Sequence, residues 1–434
     1  MPFPKDFMWG VSTSSAQIEG AYDEDGRCLS IWDCIPEGKV KNNEKPSVAC
    51  DHYHRYKDDV KILKELGVKV YRFSISMSRI MPFYEEVNQK GLEFYSNLVD
   101  ELLKNGITPM VTLYHWDLPY WLSEIGGWKS RKVVKYFKIY TKAVVDKLSD
   151  RVKYWLTFNE PSCFLFNGYV QGVHAPFIKN PLLINGISRN YFYANAEAVK
   201  IIRENAKIEP KVGVSFNISA YIPKDDSPEE IEIARKRTFE SPEGIISNSF
   251  LVDPMLLKKN PRFYGIYHMS NKVTNEIATK LDFFALNNYS PAVNYLSKHE
   301  EAKNIRKDAV GNEINGKGLY WILKFAYERY KLPIFISENG FSSEDKITDG
   351  KVHDSLRIDY LKEYLSNVEK AIDEGVPVFG YSYWSFMDNF EWAEGYRPRF
   401  GLVYVNFETQ ERTLKDSAYF YKDVIATNGE NIKE

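Results

Sequence analysis

Asn105-Gly-Ile-Thr-Pro-Met-Val-Thr-Leu-Tyr114 holds the stop of one helix and the whole of one strand. Asn105-Gly106 is a left-handed helix stop. The run from Thr108 to Tyr114 is nearly continuous in apolar character, as expected of a parallel strand buried on both faces. The same unit returns at Glu374-Gly375, which leads into a run starting at Pro377. Similar β-branched or aromatic runs occupy 7–13, 69–76, 154–158, 211–218, 282–287, 333–337 and 377–384, which makes eight with 108–114. Between them lie helical stripes: Tyr53, Tyr56, Val60 and Leu63; then Val133, Phe137, Tyr140, Val144 and Leu148; then Leu361, Leu365, Val368 and Ile372. No Gly-rich dinucleotide fingerprint follows a strand. Eight strands alternating with helices therefore favour an α/β fold of the (β/α)8 TIM-barrel type over a doubly wound sheet. No Pro-, Gly- or Ser-rich linker and no internal repeat interrupts the chain, so one domain is expected over 1–434. Two long irregular segments, 160–190 and 291–317, follow strands and are expected on the catalytic face.

Composition narrows the function. Lys and Arg number 57 against 59 Asp and Glu, a net charge of -2. That balance argues against nucleic acid or an anionic membrane as partner, since both need clustered cations. No apolar run approaches the roughly 18 residues of a membrane span. The start of the chain lacks the pattern of a secretory signal, and the four cysteines form no C-x-x-C pair, so a cytoplasmic location is expected. Aromatic residues make up 15% of the chain. Tyr and Trp at that level suit a core, and equally a cleft in which rings stack on sugar faces.

In a barrel the chemistry sits at the C-terminal strand ends. Strand four ends Thr157-Phe-Asn-Glu-Pro161 and strand seven ends Ile336-Ser-Glu-Asn-Gly340. Each sets one glutamate, Glu160 or Glu338, at the lip. Pro161 is expected to hold Glu160 extended, and Gly340 to permit a positive φ just beyond Glu338. Two carboxyl groups converging over a barrel mouth are the equipment of glycosidic bond cleavage, one as acid and the other as nucleophile or base. Arg72 shares a face of strand two with Val70 and Ser74, so it needs a carboxylate partner at the mouth. The remaining strand ends offer Gln17, His115, Trp116, Asn287, Tyr289, Trp384, Asn389, Glu391 and Trp392, groups that bond hydroxyls and stack on a ring. His52 and His54 are the only paired histidines and do not make a three- or four-ligand zinc site. No phosphate-binding loop or G-x-S-x-G is present, so neither a metal nor a cofactor is expected.

At these residues the chain resembles the β-glucosidase family, glycoside hydrolase family one. The likeness runs from Phe7 to about Tyr421. It rests on Phe7-Met-Trp-Gly-Val-Ser-Thr-Ser-Ser-Ala-Gln-Ile-Glu-Gly20, Thr157-Phe-Asn-Glu-Pro161 and Ile336-Ser-Glu-Asn-Gly340. The resemblance implies a (β/α)8 barrel that hydrolyses β-linked glycosides with retention and without a cofactor. It implies Glu338 as nucleophile and Glu160 as acid/base, with Tyr289 and Arg72 orienting Glu338. It assigns Asn159 to the sugar 2-hydroxyl and Gln17, His115, Glu391 and Trp392 to the other hydroxyls. Trp384 would be the stacking platform, and Asn287 and Phe400 would line the same pocket.

The chain departs from the family pattern at Met77, Asn288, Arg189, Asn195, Ser249 and Asn312, where Trp, Tyr, His, His, Trp and Trp are usual. Packing and the outer side of the cleft are where these should tell. The resemblance also includes a branch acting on 6-phosphorylated sugars, in which Ser, Lys and Tyr stand at the positions of Glu391, Pro398 and Phe400. The expectation is therefore an exo-acting β-glucosidase for a small oligosaccharide or aryl glycoside of the unphosphorylated kind. A 6-phospho-β-glycosidase and a catalytically dead sugar-binding barrel stand as the alternatives.

Overall fold

The computed structural model describes residues 3–240, 248–260, 269–292 and 305–433. Eight parallel strands close into a barrel in sequence order. They are β1 (Met8–Ser12), β2 (Val70–Ser74), β3 (Thr108–Tyr114), β4 (Tyr154–Asn159), β5 (Lys211–Asn217), β6 (Phe284–Asn287), β7 (Ile334–Asn339) and β8 (Val378–Trp384). After each strand the chain returns along a helix: α1 (His52–Glu65), α2 (Gln89–Lys104), α3 (Lys132–Leu148), α4 (Ile184–Asn205), α5 (Pro228–Glu240), α6 (Lys317–Tyr330), α7 (Ser355–Asp373) and α8 (Asp416–Thr427). The TIM barrel expected from the sequence is the fold observed, in one domain. Beside it lies a small antiparallel pair, β9 (Val403–Val405) and β10 (Arg412–Leu414). Part of the long segment expected at 291–317, residues 293–304, lies outside the described residues.

The strands are apolar on both faces because both faces are covered. Outward residues such as Tyr71, Phe158 and Leu286 meet the helix stripes, and the α3 stripe Val133, Phe137, Tyr140, Val144 and Leu148 is buried throughout. Inward residues make a separate layer at the floor of the barrel: Val70, Met110, Leu156, Phe283, Ala285 and Phe335, all buried. This layer makes the barrel a packed core with no pore. Gly106 has φ +75°, the left-handed stop that frees β3 to start two residues later.

The first and last described segments meet below this floor. Asn428 donates to the Phe3 carbonyl at 2.8 Å and accepts from the Trp9 indole at 2.9 Å. Tyr421 of α8 donates to the Gly10 carbonyl of β1 at 2.7 Å. Among the described residues no helix is long and apolar enough to cross a membrane.

Candidate active site

Irregularities in strand pairing aim the polar side chains. In β4, Leu156 faces the barrel interior, and alternation would turn Phe158 inward with it. Instead the pairing with β5 shifts register between Leu156 and Asn159. Thr157 points out and donates to Asn195 Oδ1 of α4 at 2.6 Å. Phe158 also points out and stacks on Phe137 of α3, ring centroids 4.8 Å apart. Asn159 is thereby turned inward, as a bulge does when it re-aims a residue. In β7 the floor residue Phe335 is followed by Ser337 and Glu338, which both bond inward-facing partners, while Asn339 bonds Tyr360 of α7 at 2.7 Å. Register shifts on both sides of β7 accompany this.

Two expectations about the backbone are corrected here. Glu160 is left-handed, not extended, with φ 42° and ψ 66°. Its N–H still pairs with the Ser215 carbonyl at 2.8 Å, and the chain then turns at once into the helix Pro161–Leu165. Proline bars the right-handed region at Glu160, and an extended residue could not make so sharp a turn. Gly340 is absent from the residues with positive φ. It is needed for proximity: a Cβ there would stand 1.8 Å from the Trp384 carbonyl oxygen. Trp116 and Trp392 share the left-handed backbone of Glu160, with φ 79° and 50°. Strained backbone of this kind clusters at functional sites.

The inward side chains form one connected network. Arg72, wholly buried, donates to Glu338 Oε1, to Asn159 Oδ1 at 2.6 Å and to Thr112 Oγ1 at 3.0 Å. Tyr289 donates to the other Glu338 oxygen at 2.7 Å. Asn287 donates to Glu160 Oε1 at 2.7 Å and to Asn159 Oδ1 at 3.0 Å. Because arginine only donates, Asn159 Oδ1 is fixed as an acceptor. Its amide nitrogen therefore donates to His115 Nε2 at 3.0 Å. Burial and the Arg72 charge hold His115 far below its usual pKa, so the ring is neutral with its proton on Nδ1.

Burial, and after it the charge of Glu338, raises the Glu160 pKa to about 7. Desolvation is the larger of the two causes. Glu391 is raised further, to about 8, by burial and then by Glu338 and Glu160. Its protonated form is therefore favoured at neutral pH, where it can donate to a hydroxyl as well as accept from one.

Above this network opens a cleft of about 270 Å³. His115, Asn159, Glu160, Tyr289, Glu338, Trp384, Glu391, Trp392 and Phe400 all line it. Gln17, Asn287 and Arg72 stand one layer behind. Gln17 donates to Asn389 Oδ1 at 3.0 Å, to the Phe390 carbonyl at 2.8 Å and to Glu391 at 3.4 Å. The rings of Trp384 and Trp392 flank His115 nearly parallel to it, at 5.7 and 6.0 Å.

Sequence reasoning missed Cys163, Asn167, His174, Asn217, Val310 and Glu394, which also line the cleft. Asn217 ends β5 and could have been found by the strand-end rule; Cys163, Asn167 and Glu394 lie on short helical turns beyond the strands, and His174 and Val310 on irregular chain, whose course no periodicity reveals. Of the six departures only Asn312 reaches the cleft. Asn195 instead accepts from Thr157 of β4 and Ser249 donates to the Phe239 carbonyl of α5, at 2.6 Å each, and Asn288 donates to the Ile218 carbonyl at 3.0 Å. His52 pairs with Asp59 and His54 with Asp51 and Glu24. Among the described residues no group of three or more His, Cys, Asp or Glu is arranged to hold a metal ion.

The family model for glycosyl hydrolase family 1 matches residues 1–430. Beta-glucosidase A of Thermotoga maritima is 43% identical over 98% of each chain. Beta-glucosidase A of Acetivibrio thermocellus is 42% identical over 98% of this chain and 99% of its own. Among solved structures, the Thermotoga maritima β-glucosidase in complex with noeuromycin superposes with a TM-score of 0.90 at 41% identity, covering 98% of this chain and 99% of that one.

Proposed function

The chain belongs to glycosyl hydrolase family 1, and on that premise we propose that it is a retaining, exo-acting β-glucosidase with Glu338 as nucleophile and Glu160 as acid/base. It removes terminal β-D-glucosyl residues from cellobiose-like disaccharides or aryl β-glucosides. The observation that carries the assignment is the opposed treatment of two carboxyl groups in one cleft. Glu160 is held protonated to about pH 7, while Glu338 receives the Arg72 guanidinium on one oxygen and the Tyr289 hydroxyl on the other. Donors on both oxygens fix the orientation of the Glu338 carboxyl group in the cleft.

In the first step a Glu338 oxygen bonds the anomeric carbon as the bond to the glycosidic oxygen breaks. Glu160 gives its proton to that oxygen, and the aglycone leaves neutral. In the second step Glu160, now a carboxylate, takes a proton from water, whose oxygen bonds the anomeric carbon and releases Glu338. Two inversions give net retention. Neutral His115, Asn159 and Glu391, with Gln17 behind, supply both donors and acceptors to the glucose hydroxyls, and Trp384 supplies a face.

The same electrostatics support an unphosphorylated substrate. Glu391 keeps its proton to about pH 8 because the pocket already disfavours negative charge. A phosphate dianion would enter that same field. The nearby cations are otherwise engaged: Arg397 with Glu344 and Glu394, and Arg399 with Asp388. The four cysteines carry free thiols, which supports a reducing compartment such as the cytoplasm.

Kinetics on nitrophenyl β-glucoside, β-galactoside, β-fucoside and 6-phospho-β-glucoside, with product configuration followed by NMR, test the reading. Glucoside hydrolysis with retention is expected, at least about a hundredfold ahead of the phosphorylated sugar in kcat/KM. Inversion, or equal turnover of the phosphorylated sugar, overturns it.

A further inference from the structure

One layer behind Glu160, three wholly buried side chains from adjacent strands close a triangle. Ser215 Oγ of β5 and Ser337 Oγ of β7 each lie 2.7 Å from Asn287 Oδ1 of β6, and they lie 2.7 Å from each other. A hydroxyl has one proton, so two protons serve three contacts. One serine must donate to the amide oxygen, and the other donates either to that oxygen or to its neighbour. In both cases the oxygen of Asn287 is fixed on the serine side, which turns its nitrogen toward Glu160 Oε1 at 2.7 Å and Asn159 Oδ1 at 3.0 Å. The reversed amide would set its oxygen against Asn159 Oδ1, which Arg72 already holds as an acceptor.

We propose that Ser215 and Ser337 are positioning residues for the acid/base, holding Asn287 so that its N–H bonds the carboxylate left when Glu160 has given up its proton. The proposal rests on the reading of Glu160 above. Its chemical purpose follows from the groups that face Glu160. Burial and the charge of Glu338 favour the protonated form. Against them stand Arg72, the Cys163 thiol and the Asn287 amide, and the amide leads the three. An acid that kept its proton too tightly could not protonate a departing sugar. One aimed amide therefore sets how readily the proton leaves, and two hydroxyls set the aim. Ser215 also takes the Glu160 N–H on its backbone carbonyl at 2.8 Å, a contact that side-chain substitution leaves in place.

The test is the pH profile of kcat/KM on nitrophenyl β-glucoside for Ser215→Ala, Ser337→Ala and the double variant, with folding checked by circular dichroism. The double variant should move the alkaline limb upward by about half a unit to one unit. At neutral pH it should lose about tenfold more on cellobiose than on dinitrophenyl glucoside, whose leaving group needs no proton. Ser337→Thr, which keeps the hydroxyl, should restore the limb. In an Asn287→Ala background the serine substitutions should shift nothing further. If the double variant does not fold, the single variants carry the same comparison, since each removes one donor. An alkaline limb unmoved by loss of the serines overturns the proposal, as does an equal shift with and without Asn287. Failure of the acid/base assignment looks different: Glu160→Ala would then leave the limb in place, and the proposal falls with it.

Discussion

At the floor of the barrel Val70, Met110, Leu156, Phe283, Ala285 and Phe335 meet in a dry layer that plain strand alternation supplies. A little further along the same strands, Arg72, Asn159, Asn287 and Glu338 meet at the mouth, and β4 and β7 reach that layer only by breaking alternation. The floor needs nothing but volume and apolarity. The mouth needs each donor matched to an acceptor, because an unpaired buried charge or amide is far more costly than a small void. Stability and chemistry are thus separated by height within one barrel, and substitutions at the two levels should fail in different ways.

The largest effect belongs to the mouth. Glu338→Ala should lower kcat by at least roughly 10⁴-fold, since no covalent glycosyl-enzyme can form. Azide or formate should restore turnover through the vacated space, giving product of inverted configuration by NMR. Rescued product of retained configuration would remove Glu338 from the nucleophile role. Next comes Glu160→Ala, expected to cost about 10²- to 10⁴-fold on a poor leaving group and much less on dinitrophenolate. Equal losses on both substrates would contradict its role as acid.

At the floor, Leu156→Ala should behave in the opposite sense. It should cost about 2–5 kcal/mol of stability by leaving a cavity, with kcat nearly unchanged. Denaturant midpoints and turnover measured on the same preparation decide this, and a kcat that fell with the stability would blur the division between levels.

The smallest effect is a pH dependence to which the mouth contributes and the apolar floor does not. Folding raises Glu160 and Glu391 from an ordinary value of 4.5 to about 7 and about 8. The folded chain then binds more protons than the unfolded one between those values, so their contribution is full below about pH 4.5 and is lost as pH rises through 7 to 8. Glu391→Gln should flatten the alkaline part of that slope in thermal melts, and Leu156→Ala should leave its shape alone.

The same division explains what could be read from the sequence. Parallel strands covered on both faces leave runs too apolar to mistake, and α3 and α7 announce themselves by helical spacing, so the barrel was legible. The glutamates were legible because strand ends are where barrels keep their chemistry. What escaped was set by contacts distant in the chain. Thr157-Phe158 turning outward together depends on Asn195 and Phe137, and Gly340 is required by the Trp384 carbonyl rather than by its own φ. Asn167, on the short helical turn Phe166–Val170, and His174, in the irregular chain after it, reach the cleft by packing that leaves no periodic signal. The triangle of Ser215, Asn287 and Ser337 joins three strands, and no one of its members is unusual in its own stretch of chain.

The seam that Asn428 makes with Phe3 and Trp9 brings both ends of the described chain to the side opposite the cleft. A fusion partner or surface linker joined at either end would hang beneath the barrel and leave the substrate's path clear. Molecules anchored by their tails to a bead would present their clefts outward, so that immobilisation and access to substrate need not compete.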